Sequence, residues 1–208
     1  QFRIAIIFIY LHTFFIILLY LSKQHSKYNF KNNYYLMAFK KYYFKKIKST
    51  NDQAIKMIKR SVANGVIITD KQTKGRGRQG KKWISLKGNL FMTIFFRISE
   101  NRKLAQMTIL NCKIIKNVLQ NYISRKLTIK YPNDILIQGK KICGILQETI
   151  FFKFNKFLII GIGINIANSP KIKNYKTTFL NEYTKKEINK ISVFKRISKS
   201  FEKNIKFK

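Results

Sequence analysis

The stretch 70–83, DKQTKGRGRQGKKW, concentrates the reactive side chains of this 208-residue chain. It holds three glycines, two arginines and four lysines against one aspartate. Gly75, Gly77 and Gly80 permit positive φ and let backbone N–H groups come close to a ligand. Arg76 and Arg78 offer planar forks that take carboxylate or phosphate oxygens two at a time. Apolar runs at 66–68 and 90–96 flank the stretch, and each reads as a strand. The expected object is a glycine–arginine loop between two strands that closes over an anion. A basic loop alone would be ordinary solvated surface. Gln72 and Trp83 in the same window, with two further motifs, separate this one from that reading.

The second motif is KYPNDILIQGKKICGILQE, residues 130–148. Pro132 interrupts a regular strand and puts Asn133 and Asp134 at a bend. Gln138-Gly139 reads as a hairpin turn, and Lys141 just after it can reach an anion held by the glycine–arginine loop. The third motif is GIGIN at 161–165, after an apolar strand that leaves a second turn at Asn155-Lys156. A dinucleotide fold is disfavoured, because the third glycine is missing and Asn168-Ser169-Pro170 argues against an immediate helix. Asn165, at a strand end behind two glycines, is placed to meet the polar edge of a ligand. Upstream, Ser49 or Thr50 caps a helix that runs through Ala54, Ile55, Met57, Ile58 and Val62 to a C-cap at Gly65. Their hydroxyls stand where a helix N-terminus favours polar groups.

The positioning elements follow from periodicity. Residues 39–47 suit a first strand and 102–122 one long amphipathic helix. From Thr184 the chain reads as helical and basic, with a Thr184/Glu187 capping box and Ser192 as cap of the last helix. The formal charge is +35, from 43 Lys+Arg and 8 Asp+Glu. Its even spread, with Lys, Asn, Ile, Phe and Tyr abundant throughout, points to the residue usage of an AT-rich genome rather than a nucleic-acid footprint. A basic nucleic-acid-binding protein is the rival reading. The only histidines are His12 and His25, so a Ser-His-Asp triad, a Cys-His pair or a histidine zinc site is excluded from the main body. Cys112 and Cys143 lack CxxC spacing and read as reduced core residues of a cytoplasmic protein. Residues 4–21 are apolar and at the lower edge of a membrane span, with Lys23, Lys27 and Lys31 behind them. We read 1–36 as an extension upstream of Met37 in preference to an anchor. Residues 37–183 then form the catalytic domain and 184–208 a basic helical tail.

Ser49-Thr50-Asn51, QTKGRGRQGKKW, KYPND, GKKICGILQE and GIGIN come in the order and spacing of bacterial biotin protein ligases, and the chain resembles that family from Phe44 to about Asn168. The resemblance implies an α+β fold, a mixed and largely antiparallel sheet with helices on one face, related to class II synthetases. It implies ATP and Mg²⁺ as cofactors, biotin as substrate and the biotin carboxyl carrier protein of acetyl-CoA carboxylase as partner. Biotin would be activated as biotinyl-5′-adenylate and passed to a carrier lysine. Ser49, Thr50, Asn51 and Gln72, with Arg76, Gly77, Arg78 and Lys141, would bind biotin. Gly75, Arg78, Trp83, Asn133 and Asn165 would hold the nucleotide. Arg76, Lys141 and Asp134 would be catalytic, with Asp134 steering the incoming amine. Lipoate or octanoate ligases of the same fold are the second choice. Lys81, Gln79 and Tyr131 depart from the family's usual arginines and tryptophan. Residues 1–48 lack a helix-turn-helix pattern, so no specific DNA binding is expected, and the small β-barrel-like domain that often follows in the family is expected to be missing or reduced to basic helices.

Overall fold

The computed structural model describes residues 38–204, within the unit Leu36–Lys208. The apolar run 4–21, the start at Met37 and the chain beyond residue 204 lie outside the described residues. Seven strands form one sheet: β1 (Lys41–Ile47), β2 (Asn64–Gln72), β3 (Leu90–Ile98), β4 (Leu127–Lys130), β5 (Asp134–Ile137), β6 (Lys140–Phe152) and β7 (Asn155–Ile164). Their order is β1-β2-β3-β7-β6-β5-β4. The β1–β2 pair is parallel and every other pair antiparallel. Helix α1 (Thr50–Lys59) makes the crossover that a parallel pair requires. The other helices are α2 (Leu104–Gln120) and α3 (Lys190–Asn204). The mixed, largely antiparallel sheet is as the sequence led us to expect.

Strand alternation divides the apolar residues between two faces. Val66, Ile68, Met92, Ile94, Phe96, Leu158 and Ile160 point to the larger core, with Cys112, Ile115 and Leu119 of α2 and Val193, Phe194, Ile197 and Phe201 of α3. Ile67, Phe95, Phe157 and Ile159 point the other way, onto Ala54, Met57 and Ile58 of α1. Two helices thus share one face as expected, while α1 covers the opposite one. The cause is the central strands: they are apolar on both sides and need cover on both. Helix α3 is no appendage, because four of its side chains complete the larger core.

Several boundaries differ from expectation. Helix α1 stops at Lys59, Ser61 takes the left-handed turn, and Gly65 lies inside β2. A Cβ at Gly65 would stand 2.8 Å from the Tyr42 ring, so this glycine serves packing, not capping. Asn189 caps α3 by accepting from Ile191 N and Ser192 N, in place of Ser192, and Thr184 and Glu187 precede the helix. The second hairpin turns at Lys153-Phe154, both with positive φ, two residues before the expected pair. Gln138 and Gly139 have φ 48 and 73 and make the expected two-residue turn. Among the described residues no helix is long and apolar enough to cross a membrane.

Candidate functional site

An open pocket lies on the α1 face of the sheet, where β6 and β7 carry their glycines. Gly144 and Gly163 pair across the two strands, and Gly161 pairs with Leu146. All three point to the α1 side by the strand period. A Cβ at Gly163 would stand 2.3 Å from Trp83, one at Gly144 2.6 Å from Trp83, and one at Gly161 2.3 Å from Asn51 Oδ1. The missing side chains therefore make the floor of the pocket and the bed on which Trp83 lies.

The start of α1 forms one wall. Ser49 caps the helix, with its Oγ accepting from Asp52 N at 3.4 Å. Thr50 donates through its N and Oγ1 to Gln72 Oε1, at 2.8 and 3.1 Å, which joins the helix to the end of β2. Asn51 faces inward but is fully engaged. Its Oδ1 accepts from Thr93 Oγ1 at 2.6 Å, and its Nδ2 donates to Leu146 O and Glu148 Oε2. Asn51 thus holds the wall in place and has no polar atom to spare.

The glycine–arginine loop adds Arg76, Gly77 and Arg78 to the lining, and it is a small closed hairpin rather than an open coil. Trp83 N donates to Gly75 O at 2.9 Å and Gly77 N to Lys81 O at 2.7 Å. The tip is a tight turn closed by Lys81 N donating to Arg78 O at 3.1 Å, with Gln79 and Gly80 both in the left-handed region at φ 54 and 70. A Cβ at Gly75 would meet Trp83 O at 2.5 Å, so glycine is needed there for the close approach of the two strands of the loop.

Three cations reach the pocket. Arg78 Nη1 donates to Asn133 Oδ1 at 3.0 Å. Lys141 Nζ pairs with Asp134 Oδ1 at 2.9 Å and lies between the rings of Trp83 and Tyr175, 5.5 and 5.4 Å from their centroids. Arg76 is turned to carboxylates: both Nη atoms donate to Glu148, at 2.8 and 2.7 Å, and Nη2 lies 2.9 Å from Asp52 Oδ1. Glu148 foremost, then Asp52, raises the already high pKa of Arg76, against some desolvation. The indole Nε1 of Trp83 is buried without a partner.

Trp83 and Lys141 also line a second, narrow cavity, with Ile84, Asn165, Pro170, Ile172 and Tyr175. Asn165 lines it, yet its amide is spoken for: Nδ2 donates to Thr178 O at 3.1 Å and Oδ1 lies 3.5 Å from Asn89 Nδ2. The free polar edge expected there is absent, because the strand end must be tied to the segment that follows. Asn89 does most of that tying. Its buried Oδ1 accepts from the backbone N–H groups of Ile166, Ala167 and Asn168, at 2.9, 3.0 and 3.1 Å.

The structure thus brings Ser49, Thr50, Asn51, Gln72, Arg76, Gly77, Arg78, Trp83, Asn133 and Lys141 to one pocket. Asp134 joins it through Lys141, Gly75 lies in the base of the loop, and Asn165 belongs to the second cavity. Sequence reasoning missed Asp52, Glu148 and Tyr175 as neighbours of the cations. The one available signal was the scarcity of carboxylates, which makes each acidic residue near a motif informative. The two thiols are not nucleophiles. Burial pushes Cys112 up to about 11 and Cys143 well above its ordinary value. Among the described residues no group of three or more His, Cys, Asp or Glu side chains could hold a metal ion.

Residues 43–165, more than half of the chain, match the Biotin/lipoate A/B protein ligase family. The chain belongs to this family. Among curated relatives, the bifunctional ligase/repressor BirA of Bacillus subtilis is 32% identical over 166 residues, covering 76% of this chain and 51% of that protein. The chain therefore spans about half the length of that relative. Among solved structures, the biotin protein ligase of Aquifex aeolicus in complex with biotin and ATP superimposes with a TM-score of 0.67 at 29% identity, over 79% of this chain and 69% of that one. The biotin protein ligase of Leishmania major in complex with biotinyl-5-AMP gives 0.66 at 26%, over 78% and 73%.

Proposed function

We propose that this chain is a biotin protein ligase, which activates biotin with ATP and transfers it to a lysine of a carrier protein. The observation that carries the reading is the pocket itself. Its lining gathers Thr50 and Gln72, joined by hydrogen bonds, with three glycines of the sheet and the cations Arg78 and Lys141. A small uncharged polar head, an apolar ring and tail, and a carboxylate suit that set of groups.

In the first step a biotin carboxylate oxygen attacks the α-phosphorus of ATP. The new P–O bond forms as the bond to pyrophosphate breaks, and pyrophosphate takes the electron pair. The nucleophile is already an anion, so no base is needed, and the absence of histidine after His25 is no obstacle. The work is positioning two anions and neutralising their charge. Arg78 and Lys141 supply the charge, and the buried Nε1 of Trp83 is a donor in reserve. Mg²⁺, when bound, would neutralise phosphate charge. The nucleotide base would pack near Trp83 and Tyr175, beside the second cavity. In the second step a carrier lysine, as the neutral amine, attacks the acyl carbon, AMP leaves with the electron pair, and the nitrogen gives up a proton to solvent. Asp134 would receive and orient that amine, exchanging its present bond to Lys141.

The partner would be the biotin carboxyl carrier protein of acetyl-CoA carboxylase, and the compartment the cytoplasm, where buried free thiols such as Cys112 and Cys143 persist. Residues 37–183 with α3 would form the catalytic domain. The deciding experiment incubates the full chain with biotin, Mg²⁺ and α-labelled ATP, with lipoate and octanoate in parallel. Labelled biotinyl-adenylate from biotin alone is expected. Product with lipoate or octanoate instead would move the chain to the other arm of its family, and no product from folded protein would overturn the reading.

A further inference from the structure

Arg76 is the first residue to suspect as an anion ligand, yet its guanidinium is already spent. Both Nη atoms are bonded to Glu148 and one also to Asp52. The two carboxylates come from different elements, Asp52 from the first turn of α1 and Glu148 from the middle of β6. Arg76 itself lies at the base of the loop hairpin, bridged to Lys82. One guanidinium therefore ties together the loop and the two elements that carry Thr50 and Lys141. Glu148 is held in turn by Asn51 Nδ2 at 2.7 Å, so the socket has its own support.

Charge decides between two uses of such a cluster. Two carboxylates face one guanidinium and leave the group with a net negative charge. If a phosphate or carboxylate drew Arg76 away, both carboxylates would stand unpaired beside two substrate anions. That exchange is opposed by like-charge repulsion between the two carboxylates and the substrate anions. Arg78, whose partner among the described residues is the neutral amide of Asn133, has no such obstacle. We propose that Asp52 and Glu148 are positioning residues, which seat Arg76 as a pin that fixes the glycine–arginine loop on α1 and β6 and leave anion binding to Arg78 and Lys141. The proposal rests on the ligase reading of this pocket and reassigns Arg76 within it.

The test uses the full chain and the variants Glu148→Gln, Asp52→Asn and Glu148→Asp. The readouts are thermal midpoint, the rate of trypsin cleavage within 76–82, and KM for biotin against kcat for pyrophosphate release. If Glu148 positions the loop, Glu148→Gln keeps its midpoint within a few degrees. Cleavage and KM for biotin then rise about tenfold, the size of one charged hydrogen-bond pair, with kcat at saturation changed far less. Asp52→Asn does the same more weakly, and Glu148→Asp recovers part of the protection. If the carboxylates merely compete for Arg76 in the empty enzyme, Glu148→Gln frees the arginine: ATP binds more tightly and cleavage is unchanged. That result overturns the proposal. A chain that forms no adenylate would defeat the ligase reading alone, because the cleavage rates decide the pin without activity.

Discussion

Single residues set the pocket through what they lack. At Gly163 a methyl group would meet Trp83 at 2.3 Å, and the contact is with ring atoms that have no room to yield toward the sheet. Gly163→Ala should cost about 1–3 kcal/mol in overpacking and unseat the indole. Trp83 is the only tryptophan, so its emission reports the change directly. We expect a red shift in Gly163→Ala and weaker biotin binding, and an unchanged spectrum would mean that the ring does not lie on this strand. The identity of these glycines was legible in the sequence, since GIGIN and CGIL stood out as motifs. Their use was not, because it depends on a residue some 80 positions earlier in the chain. The same holds for Arg76: its type and loop could be read, but the carboxylates that claim it come from two other elements.

Between elements, a few polar side chains fasten the frame. Asn89 closes three backbone N–H groups at the end of β7 while fully buried. Asn89→Ala leaves them without acceptor, and we expect a loss of about 3–5 kcal/mol, read by urea denaturation. Asp70, at the end of β2, receives Tyr43 of β1 and Lys190 at the start of α3, the latter at 2.6 Å. Lys190 first, then Tyr43, holds its carboxyl below the ordinary 3.8. A depressed carboxylate contributes stability above its unfolded value and loses it as the pH falls. Asp70→Asn should therefore flatten the fall of the thermal midpoint below about pH 4, by a small amount because the pair is partly exposed. Strands, helices and the first hairpin were legible from apolar period and turn residues. The caps at Gly65 and at Thr184/Glu187 were misplaced, because a capping pattern needs a helix behind it and only packing decides where that helix starts. The two-sided cover of the sheet escaped notice for a related reason: a fully buried strand shows no alternation to read.

For the molecule as a whole, +35 charges make a long-range field that draws anions of any kind. The apparent KM for ATP should rise several-fold between about 0.05 and 0.3 M salt, as screening sets in. Retention on unspecific DNA should vanish over the same range, whereas a true DNA-binding protein would keep a sequence it prefers at the higher value. The sheet also separates two duties. Its larger core lies on the face covered by α2 and α3, and the pocket lies with α1 on the other. Folding and ligand contact thus draw on largely different side chains. A lineage under pressure toward few codons can exchange one aliphatic for another across the far face, generation after generation, without the near face having to answer.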